Sequence, residues 1–454
     1  MSTKCSTIKR ATLMKNYKKQ IVRRLNAKIF FRQSTRSLAI VAGIIALGHS
    51  AAHGEGFRNP PPGSFNLGRA GGRIAQIDDS SAIQQNPAGL TDVTNTEVQF
   101  TPTVVYISAE FKSPGGDKGK TIEPWKILPN LFASTPFYEG RLVAGIGITT
   151  PYGLGSEWKN DSSAFSRPAG VWRYQAPYFT ELKTINFNPT IAIQAGEHLS
   201  LGAGLDVMWS QLTLKQFYPW FLATQNFSDP DGHVNAQADG IGAGANFGAT
   251  IKITERQRLA LTLRTPVRVD YEGDFSVDNV PAGLGGGKMK SDFKTNIKFP
   301  MILSAGYGIQ VTEKVRLETD VEWIQFSNFK TLPIKSSTAT ALGFPSSIRE
   351  NWKDTFTLGI GGDWQFAPNW TARAGYQYYE SPVPDSTFSP SVPDADQNVF
   401  TIGLAYRHGH HSLEGAYGLD FYDTRKITND QNAAFNGKYE INVHLFSFAY
   451  RYAF

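Results

Sequence analysis

The chain ends His444-Leu445-Phe446-Ser447-Phe448-Ala449-Tyr450-Arg451-Tyr452-Ala453-Phe454, and this stretch decides the fold. At the two-residue period of a strand, Phe446, Phe448, Tyr450, Tyr452 and Phe454 share one face, and Ser447, Ala449, Arg451 and Ala453 share the other. A soluble sheet would cover the aromatic face with a second layer. A chain that stops on a bare aromatic residue instead reads as the closing strand of an outer-membrane barrel, with lipid as the second layer.

Working outward, the same alternation recurs. Val315, Leu317, Thr319, Val321 and Trp323 stand opposite Arg316, Glu318, Asp320 and Glu322. Phe356, Leu358 and Ile360 stand opposite Thr355 and Thr357, and Ile185, Phe187, Ile191 and Ile193 oppose Asn186, Asn188, Thr190 and Gln194. A charged face against an apolar one places oil on one side of the sheet and water on the other. With this template and turn signals such as Ala367-Pro368-Asn369, the reading is all-β: a transmembrane antiparallel barrel of 14 strands. The strands begin near residues 96, 125, 140, 179, 199, 238, 257, 291, 314, 352, 370, 397, 411 and 438. An even number returns both ends to one side of the membrane. Long loops are expected at 153–178, 217–237, 273–290, 327–351 and 380–396. They face outward, and the short turns face the periplasm.

The net charge of +6 invites a nucleic-acid partner, but its distribution removes that reading. Residues 1–37 hold eleven Lys or Arg, and the first acidic residue is Glu55. The apolar run Leu38–Leu47 and the small residues Ser50, Ala51, Ala52 and Gly54 follow. Ten apolar residues are too few for a spanning helix, so residues 1–54 read as a signal peptide cleaved after Ala52 or Gly54. Without that segment 34 basic residues face 39 acidic ones, and no nucleic-acid partner is expected. The only cysteine, Cys5, leaves with it, so no disulfide or thiol chemistry remains.

Residues 55–95 do not read as strand. The triple proline at 60–62, Gly63, Gly68, Gly71 and Gly72, and Asp78-Asp79-Ser80-Ser81 before Ala82 indicate turns and short capped helices. The division is therefore a signal peptide at 1–54, an N-terminal segment at 55–95 that is either periplasmic or a plug in the lumen, and the barrel at 96–454.

Several residues invite a chemical role. Pro151 lacks a ladder donor and Gly153 lacks a side chain, so pairing breaks at 149–153, either as an ordinary strand end or as an opening in the wall. Trp158, Phe165, Trp172, Tyr174 and Tyr178 on one loop and Phe217, Tyr218, Trp220, Phe221 and Phe227 on the next form a groove for a hydrophobic ligand, or they pack loop on loop. His408-Gly409-His410-His411 occupies a turn with no carboxylate or cysteine beside it, so no metal or other cofactor is expected. Gly283-Leu284-Gly285-Gly286-Gly287-Lys288 has the wrong spacing for a phosphate loop. The few histidines stand in no catalytic motif, and no enzyme is expected.

Collinear motifs also carry a resemblance. Gly56-Phe57, Leu67-Gly68-Arg69-Ala70, Asp78-Asp79-Ser80-Ser81, Asn86-Pro87-Ala88-Gly89-Leu90 and Tyr152-Gly153-Leu154 come first. Leu263-Arg264-Thr265-Pro266-Val267, Trp352-Lys353-Asp354, Arg373-Ala374-Gly375 and Ser381-Pro382-Val383-Pro384 follow in order. Together they resemble the FadL/TodX family of outer-membrane transporters of hydrophobic compounds. The resemblance implies a monomeric barrel closed by an N-terminal hatch in the lumen. A hydrophobic small molecule would land in an extracellular groove, move to an internal pocket and leave sideways through a kinked strand.

It further implies that Phe57 enters the ligand pocket, that Asn86, Pro87 and Ala88 gate the wall, and that Pro151 and Gly153 mark its opening. Ligand contacts would come from Trp158, Trp172, Phe217, Trp220 and Phe221. Fatty-acid members of the family place cations near Lys215 and Arg349. If both face inward, the ligand is a carboxylate; if not, it is a neutral aromatic or alkane. A general porin or an outer-membrane enzyme are remoter readings. Implied partners are outer-membrane lipid and lipopolysaccharide, and the barrel-assembly machinery through the strand ending in Phe454.

Overall fold

The computed structural model describes residues 56–167 and 170–454. The signal-peptide reading of 1–54 lies outside the described residues. Fourteen antiparallel strands close into one barrel. They are β1 (Glu97–Phe100 and Thr103–Lys112), β2 (Lys118–Ile122, Trp125–Leu128 and Leu131–Phe137), β3 (Leu142–Thr149 and Gly153–Trp158), β4 (Phe179–Gln194) and β5 (Leu199–Tyr218). Next come β6 (Gly232–Thr254), β7 (Gln257–Arg264 and Val267–Val280), β8 (Gly287–Phe299 and Ile302–Thr312), β9 (Val315–Ile324) and β10 (Thr355–Ala367). The last are β11 (Trp370–Tyr379), β12 (Gln397–His408), β13 (His411–Tyr422) and β14 (Gly437–Ala453). β14 closes on β1, with Thr103 opposite Ser447 and Glu97 opposite Ala453. Closure leaves no ladder edge unpaired in lipid.

The wall is inverted relative to a soluble sheet. On β10, Phe356, Leu358, Ile360 and Trp364 are exposed, whereas Thr355, Thr357 and Asp363 are buried. Phe446 and Phe448 at the C-terminus are exposed, and Ser447 and Ala449 are buried. Strands of 10 residues, such as β9 and β11, suffice to cross the hydrocarbon. β5 and β6, at 20 and 23 residues, overshoot it at the long-loop end. There the outer face turns charged: Lys294 pairs with Glu272 and Lys290 with Asp274 across β7 and β8.

The strand starts agree with the sequence reading except at β2, β6 and β8, which begin at Lys118, Gly232 and Gly287 rather than 125, 238 and 291. Three expected loops are shorter than read. The loop before β4 begins only after Trp158, the loop after β5 spans 219–231, and 273–290 is mostly paired strand around a tight turn at 281–286. The glycines at 283–287 made that turn look longer than it is.

Residues 56–95 fold inside the barrel as α1 (Ser64–Arg69), α2 (Ala82–Gln85) and a 3-10 turn at Pro87–Asp92. The charged faces of β9 and β10 meet this segment rather than bulk water. Arg69 pairs with Asp363 at 3.1 Å and Glu318 at 3.3 Å, and Arg73 pairs with Glu322 at 2.7 Å. Glu318 also accepts the main-chain N–H of Ile74 and of Gln76, and Asp320 accepts that of Arg73. Backbone donors with no ladder of their own are thereby satisfied. At Gly71 a Cβ would lie 2.2 Å from the Gly359 Cα, so the turn after α1 and the wall touch backbone to backbone.

Candidate functional site

The surplus length of β4–β8 builds a chamber. Near the N-terminal segment the inner face is charged, but toward the long loops it turns apolar at Leu182, Leu212, Val234, Phe275 and Phe293. Phe329, Leu332, Phe344 and Phe388, from the loops at 325–354 and 380–396, complete its lining. The result is a cavity of about 940 Å³. That is the size and character of a site for a hydrophobic small molecule.

Phe57 lines the cavity with its ring. It stacks on Trp352 at 5.0 Å and meets Phe299, Phe329, Phe326 and Tyr152 edge-on at 5.4 to 6.0 Å. Gly56 before it adopts φ 67° against the same indole, where a Cβ would lie 2.1 Å from a ring carbon. Only glycine fits there. The Gly56 N–H reaches Asp394 Oδ2 at 3.4 Å, which also accepts from Ser381 Oγ at 2.7 Å.

Phe57 also occupies a break in the wall. β2 and β3 pair from Phe137 opposite Leu142 to Leu131 opposite Ile148, and again at Thr121 opposite Trp158 and Ile122 opposite Glu157. Between these two stretches the strands do not pair with each other. β3 is interrupted at 150–152, while Gly153 onward stays paired to β4. The edge of β3 left open is taken by the N-terminal segment: Gly153 N–H donates to Phe57 O at 2.8 Å, and Asn59 N–H donates to Pro151 O at 3.0 Å. Pro151 has no N–H to offer, which is why a ladder cannot run straight through this point.

Carboxyl groups in the loops around the cavity are held high. Burial pushes Glu350 up to about 8 and Asp394 up to about 7, each only partly offset by hydrogen bonds. Burial likewise raises Asp430, which lines the cavity, to about 6.

The structure sorts the residues singled out from the sequence. Phe57, Phe217 and Arg349 line the cavity, and Arg349 is exposed. Lys215 does not. It lies on the opposite face of β5 from the lining residues Leu214 and Gln216, with its ammonium 4.7 Å from the Phe179 ring centre. A one-residue offset on a strand reverses a side chain.

Trp158 and Trp172 are fully buried in loop packing, 4.8 Å apart, with their indole N–H groups on Pro390 O and Ala434 O. Trp220 donates to Asp278 O, and Phe221 stacks on Phe227. None of these four lines the cavity. Pro151 and Gly153 stand at the wall break. Pro87 shares a small pocket beside it with Pro151 and Tyr152, while its neighbours face the wall further on: Asn86 Nδ2 donates to Thr250 Oγ1 of β6 at 2.9 Å, and a Cβ on Gly202 of β5 would lie 2.5 Å from the Ala88 nitrogen. Gln84, two residues before Asn86, also neighbours the break, accepting from Thr149 Oγ1.

Phe275 escaped the sequence reading because 273–290 read as loop, and Phe293 because no inner-face residue was singled out on the strand read as beginning near 291. The alternation Val269, Tyr271, Phe275, Val277 is the signal that would have found the first of them. Glu350 had no local signal, since its burial depends on partners far along the chain.

Comparison with known proteins gives a consistent result. Residues 45–454 match the profile of the family described as outer membrane protein transport protein (OMPP1/FadL/TodX). The chain is 27% identical over 413 residues to a long-chain fatty acid transport protein of Salmonella typhi, covering 84% of this chain and 89% of that one. It is 26% identical over 422 residues to that of Escherichia coli K12, covering 84% and 90%. Among solved structures, a Pseudomonas aeruginosa FadL homologue shares the fold with a TM-score of 0.75 at 21% identity, covering 88% of this chain and 100% of that one. The P. putida toluene transporter TodX shares it with a TM-score of 0.68 at 17% identity, covering 87% and 99%.

Proposed function

The chain belongs to the OMPP1/FadL/TodX family of outer membrane transport proteins, and on that premise we propose that it is a passive channel for long-chain fatty acids. Transport of hydrophobic compounds across the Gram-negative outer membrane is the family's activity; the fatty acid and the route are our reading. The observation that carries the route is the position of Phe57, whose ring lines the cavity while its carbonyl holds the β2–β3 break. A ligand entering the cavity displaces this ring and with it residues 57–59. The break then opens toward lipid, and an apolar molecule leaves sideways without crossing the charged interior around Arg69 and Arg73. Residues 55–95 act as a hatch. The ionic contacts of Arg69 and Arg73 hold its body still, so the moving part is short. The exposed Phe227, with the half-buried Phe221 stacked on it, serves as the landing surface on the loop at 219–231.

Fatty acids are favoured by the long-chain fatty acid transport proteins among the relatives, at 26–27% identity, and by Arg349, a cation on the cavity lining. Aromatic hydrocarbon or alkane uptake is the second reading. It is supported by the placement of Lys215 outside the cavity, which leaves the lining almost wholly neutral. We read the chain as a monomer, delivered by the barrel-assembly machinery through its C-terminal strand and solvated by outer-membrane lipid and lipopolysaccharide.

Mass spectrometry of ligand retained on the barrel purified from its native membrane tests the function. Retained long-chain fatty acid, displaced by added oleate, is the expected result. Retention of neutral hydrocarbon alone transfers the assignment to the second reading. Large ion conductance in a planar bilayer would instead make it an open porin.

A further inference from the structure

The cavity buries a carboxyl without a cation. Glu350 lines it at 8% exposure, and its side chain receives one hydrogen bond, from Trp352 Nε1 to Oε2 at 3.1 Å. Oε1 keeps some accessible surface and has no hydrogen-bond partner among the described residues. The main chain is pinned on both sides. The Glu350 N–H donates to Lys330 O at 2.8 Å, and Thr387 Oγ1 donates to the Glu350 carbonyl.

The charged groups around it are few. Arg349, the preceding residue, is exposed; Asp430 lines the same cavity from the loop at 423–436; Asp394 lies behind Gly56, engaged by Ser381. No ion pair joins Glu350 to any of them among the described residues. An ionised carboxylate so placed costs several kcal/mol, roughly, and the one hydrogen bond from Trp352 offsets only part of it. A protonated carboxyl costs far less and gains a donor.

We propose that Glu350, as an uncharged carboxyl, donates a hydrogen bond to the polar head of the ligand and so selects a long apolar chain that ends in a carboxylate. This rests on the reading of the cavity as the site for a fatty acid. A hydrogen bond from a neutral O–H to a carboxylate is charge-assisted and about twice as strong as one between neutral groups. Arg349, one residue away, adds attraction for the same head. A hydrocarbon without an acceptor gains neither. The indole that positions Glu350 also stacks on Phe57, so engagement of the head is felt at the ring beside the wall break.

Because burial holds Glu350 protonated up to about pH 8, affinity for a carboxylate falls above that value, by about tenfold per pH unit, as two like charges come to share the site.

The test is equilibrium binding of oleate, methyl oleate and toluene to the full mature barrel in detergent at pH 6 to 9.5, in wild type, Glu350→Gln and Glu350→Ala. Oleate's own titration affects all three proteins alike, so the difference from Glu350→Gln isolates this side chain. Glu350→Gln, which keeps a donor of the same shape, is expected to bind oleate within about threefold of wild type at pH 7 and to lack the extra tenfold fall above pH 8. Glu350→Ala is expected to lose about tenfold for oleate at pH 7 and to leave toluene unchanged. Matching pH profiles in wild type and Glu350→Gln overturn the assignment, as does equal loss of oleate and toluene in Glu350→Ala, which marks Glu350 as a mere support for Trp352. If wild type binds none of the three probes, the channel reading itself fails.

Discussion

The main-chain N–H of Gly153 donates to the carbonyl of Phe57 at 2.8 Å. One residue therefore closes the interrupted edge of β3 with its backbone and is itself part of the cavity lining. Site occupancy and wall closure meet at a single peptide unit.

Replacing Phe57 with Ala removes the centre of a five-ring cage. The loss of buried aromatic packing is worth about 3–5 kcal/mol. Local seating of residues 56–60 is expected to fail while the barrel survives. Hydrogen exchange should show the amides of Asn59 and Gly153 unprotected, with the strand amides of β5 and β6 unchanged.

The break depends on the short residues at its centre. Substituting Gly153 with Val and Pro151 with Ala restores a β-former and a donor to the edge. Fatty-acid uptake by whole cells should fall at least about tenfold while binding to the purified barrel stays near wild type, since neither residue lines the cavity. Loss of binding together with uptake would show that the break shapes the cavity instead.

Arg69 is fully buried between Glu318 and Asp363. Arg69→Ala leaves the buried Glu318 without its cation, while Asp363 keeps Arg316, at a cost of about 3–5 kcal/mol. The hatch is expected to unseat, giving ion conductance in planar bilayers that wild type lacks, with heat-modifiable migration of the barrel retained.

Asp394 holds the Gly56 N–H, and burial raises its carboxyl from an ordinary value near 3.8 to about 7. A raised carboxyl binds more protons folded than unfolded, so its contribution to stability is full below about 4 and declines as pH rises through 7. Protection of the Gly56 and Phe57 amides should therefore drop between pH 5 and pH 8. The drop should vanish in Asp394→Asn; a pH-independent wild type would refute this.

Arg349 is the exposed cation of the cavity. Arg349→Ala should weaken oleate binding only a few-fold, because an exposed ion pair is worth about 0.2–1 kcal/mol, and should leave toluene untouched. Isothermal titration at low and high salt checks this, with the difference shrinking as salt rises.

The sequence alone determined the wall. Period-two alternation such as Phe356 to Ile360 against Thr355 and Thr357 is written residue by residue, and lipid on one side makes that pattern obligatory. The barrel, its strand count and most strand starts were legible for that reason. What lies inside the barrel was not. Trp158 and Trp172 have the composition of a ligand groove but pack against Pro390 and Ala434, more than two hundred residues away. Lys215 has the neighbourhood of a carboxylate site but stands one residue out of phase. Glu350, unremarkable in sequence, loses its water to segments that come together only in the closed barrel. Strand pattern is a local property set by two alternating solvents. Which side chains share the dry interior is set by long-range closure, and only the tertiary structure decides it.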